Sequence, residues 1–196
     1  HTVGVVAAPL EGFIDLKVKK RLDGKEYVAA RFAGPIRGAG GTAAAFCVVL
    51  TDYVRKIFGY SDYDPTEKEI NRFVIELRDY HERITNLQYN PSQDEIKFLM
   101  RNSPVEVDGD PTEKLEVSNY KDLPRVETNR IRGGVSLVVS MMALKAPKLW
   151  KEIQKLPKEF GLEWGFLKQF LEIQKAKKSA GLEKGVNSGG LRPDYT

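Results

Sequence analysis

The sequence predicts an α+β fold: antiparallel hairpins packed against several helices, two of them largely buried. Three observations carry this. Strand-like segments come first, joined by an Asp-Gly turn. Helical segments with capping signals follow. A second strand-like pair interrupts the helices and does not alternate with them, which argues against a parallel βαβ sheet. The chain has 196 residues, enough to bury about 70% of its unfolded surface. Its 41% hydrophobic and 30% charged content is that of a soluble globular chain. No apolar run approaches the roughly 18 residues of a membrane span.

In order along the chain, "TVGVVAA" is short and β-branched. "GFIDLKVKKRL" alternates Phe13, Asp15 and Lys17 against Ile14, Leu16 and Val18, a half-buried strand pattern. "LDGKE" (22–26) supplies the hairpin turn, and "EYVAARFAG" returns. "TAAAFCVVLTDYVRKIFG" reads as a buried helix, capped by Thr42 and stopped by Gly59. In "PTEKEINRFVIELRDYHERI", Thr66 and Glu69 match a capping box. Ile70, Phe73, Val74, Leu77, Tyr80, His81 and Ile84 then fall on one helical face, with His81 as a hydrogen-bonded boundary residue. Ser92 and Glu95 repeat the box before Ile96, Phe98 and Leu99. "PVEVDGDPTEKLEVS" reads as a second hairpin turning at 108–111. Residues 133–156 read as a second mostly apolar helix, which Pro147 should kink or break. The predicted organisation is an α+β domain over 1–160, an amphipathic helix over 161–180 packing on it or on a partner, and a flexible tail over 181–196.

Composition narrows the chemistry. One cysteine, Cys47 among Phe46, Val48 and Val49, allows no disulfide framework and no Cys-based zinc site, and it reads as a buried inert thiol in a reducing, cytoplasmic compartment. Two histidines, His1 and His81, are too few for a His-rich metal site or a Ser–His–Asp arrangement. The N-terminus lacks the basic n-region of a signal peptide, and a first residue other than Met suggests an excised fragment. A net charge of +4 permits a polyanion partner without requiring one.

Two stretches stand out. "GPIRGAGGT" (34–42) lies between a strand and a helix, where backbone N–H groups favour anions and Arg37 adds a planar donor fork. It matches neither the Walker nor the dinucleotide register, although "GAGG" satisfies the G-x-x-G of backbone-clamping loops. On the residues alone, an anion contact and a tight structural turn both stand. "LPRVETNRIRGG" (123–134) brings Arg125, Arg130 and Arg132 to a second glycine corner before a helix. Arg130 and Arg132 would share one face of an extended segment. Either they meet an anion, or they pair with Glu127, Glu106 or Glu116. Asp108 and Asp110 fit hairpin-tip chemistry better than a metal pair.

"AGPIRGAGGTAAAF", "TNLQYNPSQDEIKFLMRNSPVEVDGDPTE" and "DLPRVETNRIRGGVSLVVS…ALKAPK", long and in order over residues 3–150, together resemble the large subunit of the archaeal family D DNA polymerases. At 141–142, where that family's pattern has an acidic residue and a glycine, this chain has Met141 and Met142. The resemblance implies a replicative polymerase that works as a heterodimer with a small exonuclease subunit. It implies DNA and the sliding clamp as further partners, and Mg²⁺ held by aspartates of a downstream motif absent from this sequence. The fragment itself is then without a catalytic centre or cofactor.

Three roles follow. The first is DNA guidance, with Arg37, Gly38, Gly40, Gly41, Arg125, Arg130 and Arg132 as the candidate DNA-binding residues. The second is a scaffold for assembly, with an exposed apolar patch and self-association of the fragment; Trp164, Phe166 and Phe170 read either as an ordinary core face, the safer reading, or as the stickiest surface. The third, an independent nucleotide-binding enzyme, has no catalytic base and metal carboxylate to support it.

Overall fold

A computed structural model describes residues 12–34 and 41–187. The first hairpin forms as the sequence predicts. Strand β1 (Phe13–Lys20) pairs antiparallel with β2 (Glu26–Phe32), Lys20 opposite Glu26 and Val18 opposite Val28. Gly24 takes φ +82° in the turn, a conformation only glycine adopts cheaply. A register shift between Phe13 and Asp15 lets Phe13 meet Phe32 edge to face, ring centroids 5.8 Å apart.

The faces of β1 differ from expectation. Ile14, Leu16 and Val18 stay 40%, 38% and 44% exposed, while the Lys19 side chain is 8% exposed. The cause is position. β1 is an edge of the sheet, whose order is β1-β2-β3. Helix α1 (Gly41–Ile57) and the core helices cover the neighbouring β2 more fully, so Leu16 and Val18 overhang while their partners Ala30 and Val28 are buried.

The predicted second hairpin is corrected. Strand β3 (Glu106–Asp108) pairs parallel with β2, Ala29 opposite Glu106 and Arg31 opposite Asp108. The short "EVD" run takes the edge of β2 that the first hairpin left free. The chain then continues past 108–111, and residues 112–117 bond to 129–131 instead: Ile131 N–H donates to Leu115 O at 2.9 Å and Val117 N–H to Asn129 O at 2.9 Å.

The helices form where the sequence places them, with two local signals corrected. Thr42 lies within helix α1 as described and does not cap it; Gly59, at φ +72°, follows its end. Helix α2 (Glu67–Arg83) carries the full capping box of Thr66 and Glu69, and His81 Nδ1 accepts from Leu87 N–H at 3.0 Å. Helix α3 (Gln93–Asn102) repeats the box with Ser92 and Glu95. Helix α4 (Gly133–Ile153) runs unbroken through Pro147. Proline cannot donate to the carbonyl four residues back. Gln174 of helix α5 (Phe166–Asn187) fills that gap, its Nε2 donating to Ala143 O at 3.0 Å.

The core joins α1, α4 and the sheet through Ala44, Val48, Phe32, Val107, Val135 and Met142. Trp164 and Phe170 are 1% and 0% exposed and belong to this core, with Phe166 packed against it, so they form no sticky surface. The Trp164 indole N–H donates to Asp52 at 3.0 Å. Cys47 is buried as expected, and burial pushes its thiol up to about 11. No helix among the described residues is long and apolar enough to cross a membrane.

Candidate functional site

Gly34, which opens the first glycine corner, lies against the second. A Cβ on Gly34 would sit 3.4 Å from Gly134 N, and one on Gly134 would sit 2.4 Å from Phe32 O. A Cβ on Gly109 would sit 2.2 Å from the same oxygen. Real Cβ atoms do not approach backbone so closely, so these glycines let the start of α4 and the end of β3 lie directly on the end of β2. A Cβ on Gly41 would meet Met141 Sδ at 2.5 Å, so Met141 packs on the start of α1. Arg37, Gly38 and Gly40 lie outside the described residues.

The second corner is built on a buried charge network. The Arg132 side chain is 1% exposed. It donates from Nη2 and Nε to Glu76 at 2.8 and 3.1 Å and from Nη1 to Asp108 at 2.7 Å, while its backbone N–H also reaches Glu76 at 2.7 Å. Arg72, one turn before Glu76, binds it at 3.3 Å and donates to the carbonyls of Tyr120, Thr128 and Arg130, pinning the 120–130 segment. Lys19 reaches Glu106 at 2.9 Å and Asp108 at 3.3 Å, and Tyr27 OH donates to Glu106 at 2.8 Å. Arg125 binds Glu69, the capping-box residue of α2, at 2.7 Å through Nε, and its guanidinium lies 5.3 Å from the ring centroids of both Tyr27 and Tyr63.

Electrostatics follow from this pairing. Burial pulls the Arg132 guanidinium down, but Glu76 and Asp108 outweigh it and hold the group above its ordinary range. Arg125 is raised in the same way, burial opposed by Glu69. For Arg72, burial dominates and lowers it despite Glu76. Burial raises the carboxyl of Glu106 against the pull of Lys19, whereas for Asp108 the two cations Arg132 and Lys19 overcome burial and lower it. Each charge is committed to a partner inside the fold.

The predicted site residues therefore separate. Arg125 and Arg132 turn inward. Arg130 is exposed and donates to Glu113 O at 2.7 Å, so it does not share a face with Arg132. The segment crosses from solvent to interior between them, with Ile131 also fully buried. The carboxylate partners are not those expected: Glu69, Glu76 and Asp108 take the arginines, while Glu106, Glu116 and Glu127 bind Lys19, Lys121 and Lys17. Asp108 and Asp110 do not fit a Mg²⁺ site: Asp108 is spent on Arg132 and Lys19, and Asp110 pairs with Arg31. No cluster of three or more His, Cys, Asp or Glu positioned for a metal occurs among the described residues. The residues missed are Arg72, Glu76 and Asp79, which with the capping-box Glu69 form a buried charged stripe on α2. Their helical spacing is legible beside the apolar stripe, but such a stripe ordinarily faces water.

A family model described as "DNA polymerase II large subunit DP2, N-terminal" matches residues 1–173. The DNA polymerase II large subunit of Nanoarchaeum equitans is 56% identical over 176 residues, 89% of this chain and 14% of that protein. Those of Methanothermobacter thermautotrophicus and Thermococcus kodakarensis are 48% and 45% identical, over 94% and 91% of this chain and 16% and 10% of their own lengths. The chain thus spans a small part of each relative.

Proposed function

We propose a role from one premise: the chain belongs to the family of DNA polymerase II large-subunit N-terminal regions. It is a bracing and docking module of a DNA-directed DNA polymerase. The polymerisation chemistry, its Mg²⁺, the small exonuclease subunit and the sliding clamp are then properties and partners of the larger assembly that it helps to hold together.

One observation carries this reading. Six of the eight exposed large hydrophobic side chains among the described residues lie on two touching elements: Ile14, Leu16 and Val18 on β1, and Leu50, Ile57 and Phe58 on or just past α1. An apolar surface on an edge strand and its covering helix suits burial against protein. The relatives' remaining length supplies a natural occupant, the rest of the large subunit. The test is a Leu16→Ser/Val18→Ser/Phe58→Ser variant, assayed for binding to the separately produced remainder of the subunit. The expected result is lost association with an unchanged melting temperature of the chain. Association at wild-type affinity contradicts the reading. Sedimentation of the chain alone reads whether the same face supports self-association.

A second reading, DNA guidance, is favoured at one position. Arg130 is the arginine of 125–132 that stays exposed. In the intact enzyme, Arg130→Ala lowers the slope of log affinity against log salt by about 0.9 if it contacts one duplex phosphate. An unchanged slope removes it from the contact surface, and Arg37→Ala tests the first corner in the same way.

A further inference from the structure

Strand β1 ends the sheet with an outer edge that no strand among the described residues covers. The pairing on its other side decides which backbone groups face that edge. In an antiparallel ladder, residues whose N–H and C=O cross to the partner alternate with residues whose groups point away. Arg21 N–H donates to Lys25 O at 2.8 Å, so Lys19 and Lys17, two and four residues back, also face β2. Glu26, opposite Lys20, turns its carbonyl away from β1 and accepts from Ser61 N–H at 2.8 Å. Leu16, Val18 and Lys20 therefore aim their N–H and C=O groups outward, and among the described residues none of these groups has a hydrogen-bond partner. Proteins ordinarily blunt such an edge with charges, proline, a bulge or a covering segment. On β1 these devices sit at the ends, as the register shift between Phe13 and Asp15 and as the exposed Lys20. Residues 124–127 run beside the edge without backbone bonds to it and leave a groove of about 260 Å³ against residues 17–20. Lys17 pairs with Glu127 there, whereas Lys20 pairs with no carboxylate among the described residues.

We infer that β1 is completed by strand addition: an extended segment from the remaining length of the large subunit pairs its backbone with Leu16, Val18 and Lys20. This rests on the docking reading above and gives it a geometry. An apolar face by itself needs only a complementary surface, whereas a row of outward donors and acceptors demands an extended chain. The matched part is 14% and 16% of two relatives' lengths, so the same polypeptide supplies the occupant. The alternation of β1 dictates its chemistry. Residues opposite Leu16 and Val18 lie on the α1 side of the sheet and are apolar. The residue opposite Lys20 is acidic. The intervening residues share the side of Asp15 and Lys17 and are polar. About five or six residues suffice, the usual length of a strand.

The test compares amide hydrogen exchange, resolved residue by residue, in the 196-residue chain and in an intact large subunit that carries it as its N-terminal region. In the chain alone, Leu16, Val18 and Lys20 exchange fast, while Lys17 and Lys19, bonded to β2, exchange slowly. In the intact subunit the first three slow by at least roughly 2- to 13-fold, the equivalent of one net hydrogen bond each, and the alternation along β1 disappears. Val18→Pro keeps the apolar bulk but removes one outward N–H, at an edge position that accepts proline. It returns Leu16 and Lys20 to their rates in the chain alone. Val18→Ala trims the apolar contact, keeps the N–H and leaves both protected. Slow exchange at Lys17 and Lys19 in the two variants is the control that β1 still pairs with β2. Fast exchange of Leu16, Val18 and Lys20 in the intact subunit, slow exchange of all three already in the chain alone, or full protection kept in Val18→Pro each overturns strand addition. The docking reading fails differently, through wild-type association of the Leu16→Ser/Val18→Ser/Phe58→Ser variant.

Discussion

Val28, Ala30, Phe32 and Val107 share one face of the sheet; Lys19, Tyr27, Glu106 and Asp108 share the other. Both faces are buried at β2 and β3, yet by different chemistry. The first joins α1 and α4 in an apolar core. The second is closed by α2 and the 112–132 segment through ion pairs that leave little room for substitution. Apolar packing tolerates volume-conserving exchange. A buried ion pair does not tolerate losing one member, because the survivor remains desolvated without compensation. The charged face therefore specifies where one long connection lies, and the apolar face supplies bulk cohesion.

The largest expected effect breaks the charged face. Arg132→Leu strands Glu76 and Asp108 and costs about 3–5 kcal/mol, read as a shifted midpoint in denaturant unfolding. Next is the contact of the second glycine corner with the end of β2. Gly134→Ala forces a methyl to within 2.4 Å of Phe32 O and costs about 1–3 kcal/mol, read by the same melt.

A conditional effect lies at α3 and α5. Burial pushes the Glu95 carboxyl up, but Lys177, Tyr89, the Ser92 N–H and Gln174 outweigh it and bring it down to about 2 from 4.5. A carboxyl lowered on folding stabilises the fold above its unfolded pKa and loses that contribution as pH falls through the folded value. The attachment of α5 thus weakens between about pH 4.5 and 2, visible as lost hydrogen-exchange protection in residues 166–179, and Glu95→Gln flattens that dependence. The smallest effect is at Arg130, where Ala changes stability by less than about 0.5 kcal/mol because the side chain is exposed. A large loss there would erase the contrast between Arg130 and Arg132.

Local signals made much of this fold legible. The Asp-Gly turn, both capping boxes and the apolar stripe of α2 depend on neighbours in sequence, and each appears where its residues stand. What depended on distant partners did not show. The pairing of "EVD" with β2 needed the free edge of that strand. The exposure of Ile14, Leu16 and Val18 needed the position of α1. The continuity of α4 through Pro147 needed Gln174, 27 residues later, at the orphaned Ala143 carbonyl. Arg125 and Arg132 stood out in the sequence beside their glycine corner, but their partners Glu69 and Glu76 stand on a helix face that ordinary patterning assigns to water.

The most direct test of the central claim is a double-mutant cycle between Arg132→Leu and Asp108→Leu, measured by equilibrium unfolding of the chain. If the buried pair braces the 112–132 segment against the sheet, the double variant loses less than the two single losses combined, with a coupling of about 1–3 kcal/mol. Additive losses within about 0.3 kcal/mol would contradict it.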